Sequence, residues 1–274
     1  MIFGPGSETL KLVTAKLLTA TSSPASLFAE VEGAPLAKKW TRLMHGSRPP
    51  PAALTIATSL PELGECLAAA SALVIVADDP PLPPGAAATL FKNAPAARRA
   101  VLVSSIGGSE ASKGGFFGGR NLAFECEREV RAAAAERGVP LDVLRVGALK
   151  GGGPGNVTEG VVVAGVDLGL DVTFYNNIVQ LDQFLMIKGY DQFTLGCSVT
   201  KGDSVSRANP LVRAARGGSF DPFPDECSAV TCAAAVRYLL GRGGAGEADA
   251  TLGAGRGERL PTEEEFGSMF EAAA

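Results

Sequence analysis

The chain has 274 residues, 46% of them hydrophobic and 20% charged, a balance that suits one large globular domain or a core with a small appended lobe. A net charge of -4 and a pI near 5.2 exclude the basic footprint of a nucleic-acid binder or of a protein held on an anionic membrane. No apolar run approaches the ~20 residues that span a bilayer, and five scattered cysteines without a C-x-x-C pair fit a reducing compartment.

In chain order, short β-rich runs alternate with helical stretches, the pattern of a parallel sheet with crossover helices. The first run, residues 1–3, is short for a strand that this architecture places in the sheet centre. We therefore expect further sequence, including a targeting segment, ahead of Met1, and a location in the cytoplasm or the plastid stroma. A sharp turn follows at Gly4-Pro5-Gly6, then a helix over 8–18 with apolar residues Leu10, Val13, Ala15, Leu17 and Leu18 along one face. Strands are expected at 26–31, 53–57, 73–77, 100–104 and 141–146, with proline-initiated helices at 35–43 and 61–70. The runs Leu73 to Val76, Ala100 to Val103 and Val143-Leu144 are continuously apolar, as strands buried on both faces are. Residues 121–137 give the clearest helix, with Leu122, Cys126, Val130, Ala133 and Ala134 in register and Gly138 as its stop.

After Leu149 the rhythm breaks. Lys150 to Gly155 is a glycine-rich loop, and residues 156–219 read as irregular structure with short strands. A helix at 225–240, a strand near 248–252 and a helix at 261–272 close the chain. Cys227 and Cys232 resemble a metal pair only superficially, because the single histidine, His45, is far away in sequence, and no metal is expected.

The segment Gly4-Pro5-Gly6-Ser7-Glu8-Thr9-Leu10 lies where a strand turns into a helix. Free amides at a helix start attract anions, and glycines let a diphosphate approach the main chain. The glycine series is incomplete. Thr9, or Ser7 and Leu10, stand where fuller forms carry glycine, Pro5 lacks a donor, and Glu8 adds a carboxylate that suits the helix dipole but repels phosphate. A tight turn capped by Ser7 with no ligand is the alternative. Glu32, after the second strand, is placed to hydrogen-bond an adenosine ribose and to disfavour a 2′-phosphate, a slight lean to NAD over NADP.

Four stretches carry a family resemblance: Ile2 to Gly6, Leu67 to Ile75, Val101 to Gly107, and Arg137 to Leu149, the last with Val146 where the family has proline. In their order the chain resembles the atypical short-chain dehydrogenase/reductases, the NAD(P)-binding group that includes NmrA-like proteins. The resemblance implies an α/β, Rossmann-like, doubly wound parallel sheet with a small irregular C-terminal substrate lobe. Residues 1–150 would form the NAD(P)-binding core, and 151–274 the substrate lobe and closing elements of the same domain. It places Gly4, Pro5, Gly6, Ser7, Glu8, Thr9 and Glu32 on the cofactor, joined by Ala77, Asp78, Ser104, Val146 and Gly147. Ser105 falls at the catalytic serine. The family's Tyr-x-x-x-Lys spacing falls on Phe117 and Asn121, or on Phe116 and Arg120, and phenylalanine has no proton to give. Ser105 and Asn121 are thus the candidate catalytic residues. The implied function is an NAD(P)-dependent oxidoreductase on a small organic substrate without the usual tyrosine–lysine pair. The alternative is a non-catalytic dinucleotide-binding sensor or scaffold. The expected partners are a dinucleotide and a small molecule, with no nucleic acid and no membrane span.

Overall fold

The computed structural model describes residues 1–20, 23–28, 53–109, 121–151, 162–163, 166–167, 193–205, 222–243 and 246–274. Strands β1 (Ile2–Phe3), β2 (Ala25–Phe28), β3 (Leu54–Ala57), β4 (Ala72–Val76), β5 (Arg99–Ser105), β6 (Leu141–Val146), β10 (Gly196–Lys201) and β12 (Asp249–Gly255) form one sheet. Its order is β10-β12-β6-β5-β4-β1-β2-β3, parallel throughout except for β10, which runs antiparallel to β12. Two small ladders lie outside it: β7 (Ala148–Lys150) with β11 (Glu226–Ser228), and β8 (Val162–Val163) with β9 (Val166–Asp167).

The continuously apolar strands explain the layering. Alternate side chains point to opposite faces. Val74, Val76, Val101, Val103, Leu144 and Val146 enter one core, and Leu73, Ile75, Ala100, Leu102, Leu141 and Val143 enter the other. Helices α1 (Glu8–Ala20), α5 (Ala229–Gly241) and α6 (Glu263–Ala272) cover the first face. The second is covered by α2 (Leu60–Ala69), α3 (Ala86–Asn93) and α4 (Leu122–Glu136). The result is the Rossmann-like, doubly wound sheet expected from the sequence.

Most elements fall where the patterning puts them, with three departures. The predicted helix at 225–240 begins only at Ala229. Residues 226–228 are strand β11, because Ser228 stays extended and its hydroxyl accepts from the amides of Val230 and Thr231 as an N-cap. Helix α3 fills a stretch for which no helix was predicted. Residues 148–150, for which no strand was predicted, form β7 by pairing with β11, whereas the span read as irregular with short strands does contain one, the antiparallel edge strand β10. The predicted helix at 35–43 and residues 29–31 of the second predicted strand lie outside the described residues.

Two residues suffice for β1 because it is central: Ile2 pairs with Leu27 on one side and Val74 on the other. The chain leaves β1 toward β2 and β3, then returns to β4 on its opposite side. That reversal is a topological switch point, and open α/β sheets hold ligands in the crevice beyond the strand ends there. No described helix is long and apolar enough to cross a membrane.

Candidate functional site

The turn after β1 packs against the end of β4. Gly4 has φ +128, a conformation L side chains rarely adopt, and a Cβ there would lie 2.1 Å from the Val76 carbonyl oxygen. Gly6 continues the approach by donating its N–H to the same oxygen at 2.9 Å. Beneath the turn the ammonium of Lys11, only 4% exposed, donates to the Gly4 carbonyl at 2.7 Å. Ser7 is the N-cap: its hydroxyl accepts from the Leu10 amide at 3.2 Å. Leu10, at a position where a fuller glycine series continues, is wholly buried in the core. Pro5 is half-buried and Glu8 exposed, so the Glu8 carboxylate does not fill the turn.

A different carboxylate reaches it. Asp78, two residues past β4, accepts the Ser7 N–H on Oδ1 at 2.9 Å. The same oxygen would lie 2.2 Å from a Cβ on Gly6, so the glycine makes room for Asp78. Burial pushes this carboxyl above its ordinary range, against the pull of the Ser7 donation. Ala77 is buried, and its amide bonds the Val103 carbonyl at 2.8 Å.

Beside β4, β5 ends in Ser104 and Ser105. The Ser104 hydroxyl is 1% exposed and has no hydrogen-bond partner among the described residues. Ser105 is half-buried and pairs in register with Val146, itself fully buried at the end of β6. The loop that follows is gripped from two directions. Asn121 donates from Nδ2 to the Gly107 carbonyl at 2.7 Å, while its Oδ1 accepts from Phe124 N at 3.3 Å and caps α4. Asp203, just past β10, accepts from Gly107 N at 2.9 and 2.8 Å and from Ser109 N and Oγ at 3.0 Å each. Burial by itself would raise the Asp203 carboxyl, but the Gly107 and Ser109 donations and the nearby Arg145 charge hold it below the usual carboxylate range.

Arg145 stands behind this loop, not in the crevice. It is 1% exposed and meets Glu127 through Nε at 2.9 Å and Nη2 at 2.7 Å, with Asp249 on Nη1 and Asp203 at 3.8 Å. Past β6, the amide of Ala148 donates to the Asp225 carbonyl at 3.0 Å, which pins the Val146-Gly147 bend to residues ahead of β11.

The structure thus brings Gly4, Pro5, Gly6, Ser7, Glu8, Thr9, Ala77 and Asp78 to the switch point, with Ser104, Ser105, Val146 and Gly147 along the same carboxyl edge. Asn121 is engaged in the cap and the Gly107 contact. Glu32, Phe116, Phe117, Arg120, Tyr175 and Tyr190 lie outside the described residues. Tyr238 stacks on Phe266 and Phe270 at centroid distances of 5.8 and 5.5 Å and serves the core. Sequence reasoning passed over Asp203 and Glu127. Their partners are 96 and 18 positions away, and Asp203 sits in a stretch with no motif. The thiols of Cys227 and Cys232 are fully buried, and burial raises both well above the ordinary thiol range. Among the described residues no group of three or more histidine, cysteine or acidic side chains is placed to hold a metal ion.

No protein-family model matches the chain, and no curated protein does. Solved structures do. A short-chain dehydrogenase/reductase from Veillonella parvula, in complex with NADP, aligns over 93% of this chain and 92% of its own at 15% identity and a TM-score of 0.50. A Bacillus halodurans protein assigned to the NAD-dependent epimerases/dehydratases covers 97% of each chain at 12% identity and a TM-score of 0.53. A UDP-N-acetylglucosamine 4-epimerase from Methanobrevibacter ruminantium, in complex with UDP-N-acetylmuramic acid, covers 93% of this chain and 77% of its own at 10% identity and a TM-score of 0.50. At these identities the similarity shows the shared fold.

Proposed function

Starting from this fold, shared with dehydrogenases and epimerases, we propose that the chain binds NAD(P) across the carboxyl edge of its sheet and serves as an oxidoreductase on a small organic substrate. The observation that carries the reading is the glycine turn at the switch point, with Gly4 and Gly6 packed onto the Val76 carbonyl at the start of α1. The residues present fit a dinucleotide. Gly4 and Gly6 supply the close approach, the first-turn amides of Glu8 and Thr9 have no intrahelical carbonyl to bond and would hold a diphosphate, and the Val146-Gly147 bend would border the nicotinamide. The nicotinamide, when bound, supplies the hydride. Ser105, at the end of β5, would donate a hydrogen bond to the developing alkoxide. Asp203 and Asn121 hold the loop that follows Ser105, so the hydroxyl sits at the end of a fixed strand.

With Ser105 as hydrogen-bond donor only, protonation by water or by the substrate itself replaces the tyrosine–lysine pair, whose spacing falls on Phe117 and Asn121. The engagement of Asn121 in structural bonds favours a second reading, a dinucleotide-binding sensor or scaffold without turnover. The lean to NAD rests on Glu32 and remains part of the proposal.

Calorimetric titration with NAD⁺, NADH and NADPH tests the binding step. Saturable binding of one nucleotide per chain is expected, and no heat with any of the three rejects the dinucleotide reading. Oxidation of bound NAD(P)H across aldehydes, quinones and enones then separates the oxidoreductase from the sensor.

A further inference from the structure

The first turn of α1 is already partly occupied. With Ser7 as N-cap, four amides lack an intrahelical carbonyl: those of Ser7, Glu8, Thr9 and Leu10. The Leu10 amide bonds the Ser7 hydroxyl at 3.2 Å, and the Ser7 amide bonds Asp78 Oδ1 at 2.9 Å. Asp78 therefore holds the amide nearest the glycines, and Gly6 admits it because a Cβ there would lie 2.2 Å from the same oxygen.

From this geometry we infer that Asp78 is an affinity-determining residue of the cofactor site. Its carboxylate seats on the Ser7 N–H as an internal anion, so a diphosphate held on the neighbouring Glu8 and Thr9 amides is opposed by it unless it is displaced or uncharged. The inference rests on the dinucleotide reading above. Like charges brought together in a partly dry turn oppose each other strongly, whereas a protonated carboxyl does not. Binding with proton uptake balances simply: the carboxylate takes one proton from solvent as the diphosphate enters. Of the other charged or titratable groups, Asp79 adjoins Asp78 on its own loop, and α1 carries the exposed Glu8 and Lys11, the latter with its ammonium on the Gly4 carbonyl. The Cys232 thiol of α5 faces Asp78, but burial keeps that thiol neutral. Of these, Asp78 alone is bonded to an amide of the turn, and burial already moves its carboxyl toward the neutral form.

The test measures NAD⁺ affinity by calorimetry from pH 5 to pH 8 for the native chain and for Asp78→Asn. NAD⁺ is the probe because a 2′-phosphate would itself titrate near pH ~6. Asparagine keeps an acceptor for the Ser7 N–H and removes the charge. The native chain should bind about tenfold more tightly at the acidic end, and D78N should bind about tenfold more tightly than native at pH 8 with a nearly flat profile. Equal affinities for the two proteins at pH 8 overturn the role of Asp78 while leaving the dinucleotide reading intact. Failure of both to bind NAD⁺, NADH or NADPH at any pH removes that reading and the inference with it. Should D78N not fold, as a thermal melt reports, the native pH profile decides, and a flat one rejects the inference.

Discussion

Asp203→Asn probes how the C-terminal half fixes the Ser105 loop. The native carboxylate receives Gly107 N on both oxygens and Ser109 N and Oγ on one of them, at 2.8–3.0 Å, and its side chain is 3% exposed. Asparagine leaves one acceptor and turns an NH₂ toward the remaining donors. Loss of a charge-assisted hydrogen bond together with an unmet buried N–H costs about 3 kcal/mol. Arg145, 3.8 Å away, keeps Glu127 and Asp249, so the loss stays local. The assay is hydrogen exchange at Gly107 and Ser109, where about 3 kcal/mol appears as exchange about a hundredfold faster. The sign with pH is fixed. Although burial alone would raise it, the Asp203 carboxyl is held below its unfolded value, so its contribution is present above pH ~3.9 and is lost as pH falls through the lower folded pKa. The gap between native and D203N should therefore close in strong acid. Unchanged exchange at Gly107 and Ser109 near neutrality would refute the reasoning.

Gly4→Ala places a Cβ 2.1 Å from the Val76 carbonyl at φ +128, and Val76 cannot yield without losing the Gly6 bond. The variant should lose about 3 kcal/mol in urea unfolding, and a change below about 0.5 kcal/mol would contradict the geometry. Asn121→Ala removes a cap and the Gly107 contact and should cost about 2 kcal/mol in a melt, while Asn121→Asp keeps the cap and recovers about half. An Asn121→Ala variant of native stability that had lost turnover would instead make Asn121 catalytic.

The sheet was legible because its signals are local. The alternation that sends Val74 and Val76 to one core and Leu73 and Ile75 to the other is written in four consecutive residues, and each face supplied enough apolar helix to cover it. The turn at Gly4 to Leu10 was legible for the same reason, down to Ser7 as the cap. What escaped is carried by long-range pairs. Asp78 and Ser7 are 71 positions apart, and Asp203 and Gly107 are 96 apart, so neither contact leaves a periodic trace. The boundary of α5 escaped for a subtler reason. Glu226 to Ser228 carries no helix-breaking residue, and its strand conformation follows from pairing with Ala148 to Lys150, which only the folded chain supplies.

The two readings of the site differ in one chemical requirement, a proton at the acceptor oxygen. At the end of β5, beside the bend that would border the nicotinamide, the strand's own side chains with a proton to share are the Ser104 and Ser105 hydroxyls. A serine hydroxyl is far too weak an acid to protonate an alkoxide, although it can hydrogen-bond one. On the oxidoreductase reading the favoured substrates are then those whose reduced anion is already delocalised, quinones and enones above simple ketones, because water can complete the protonation after hydride transfer. Their rates should lack the limb of a bell-shaped pH profile that reports an enzyme acid. A simple ketone reduced as fast as a quinone, with such a limb, would demand an acid beyond the residues described on this edge.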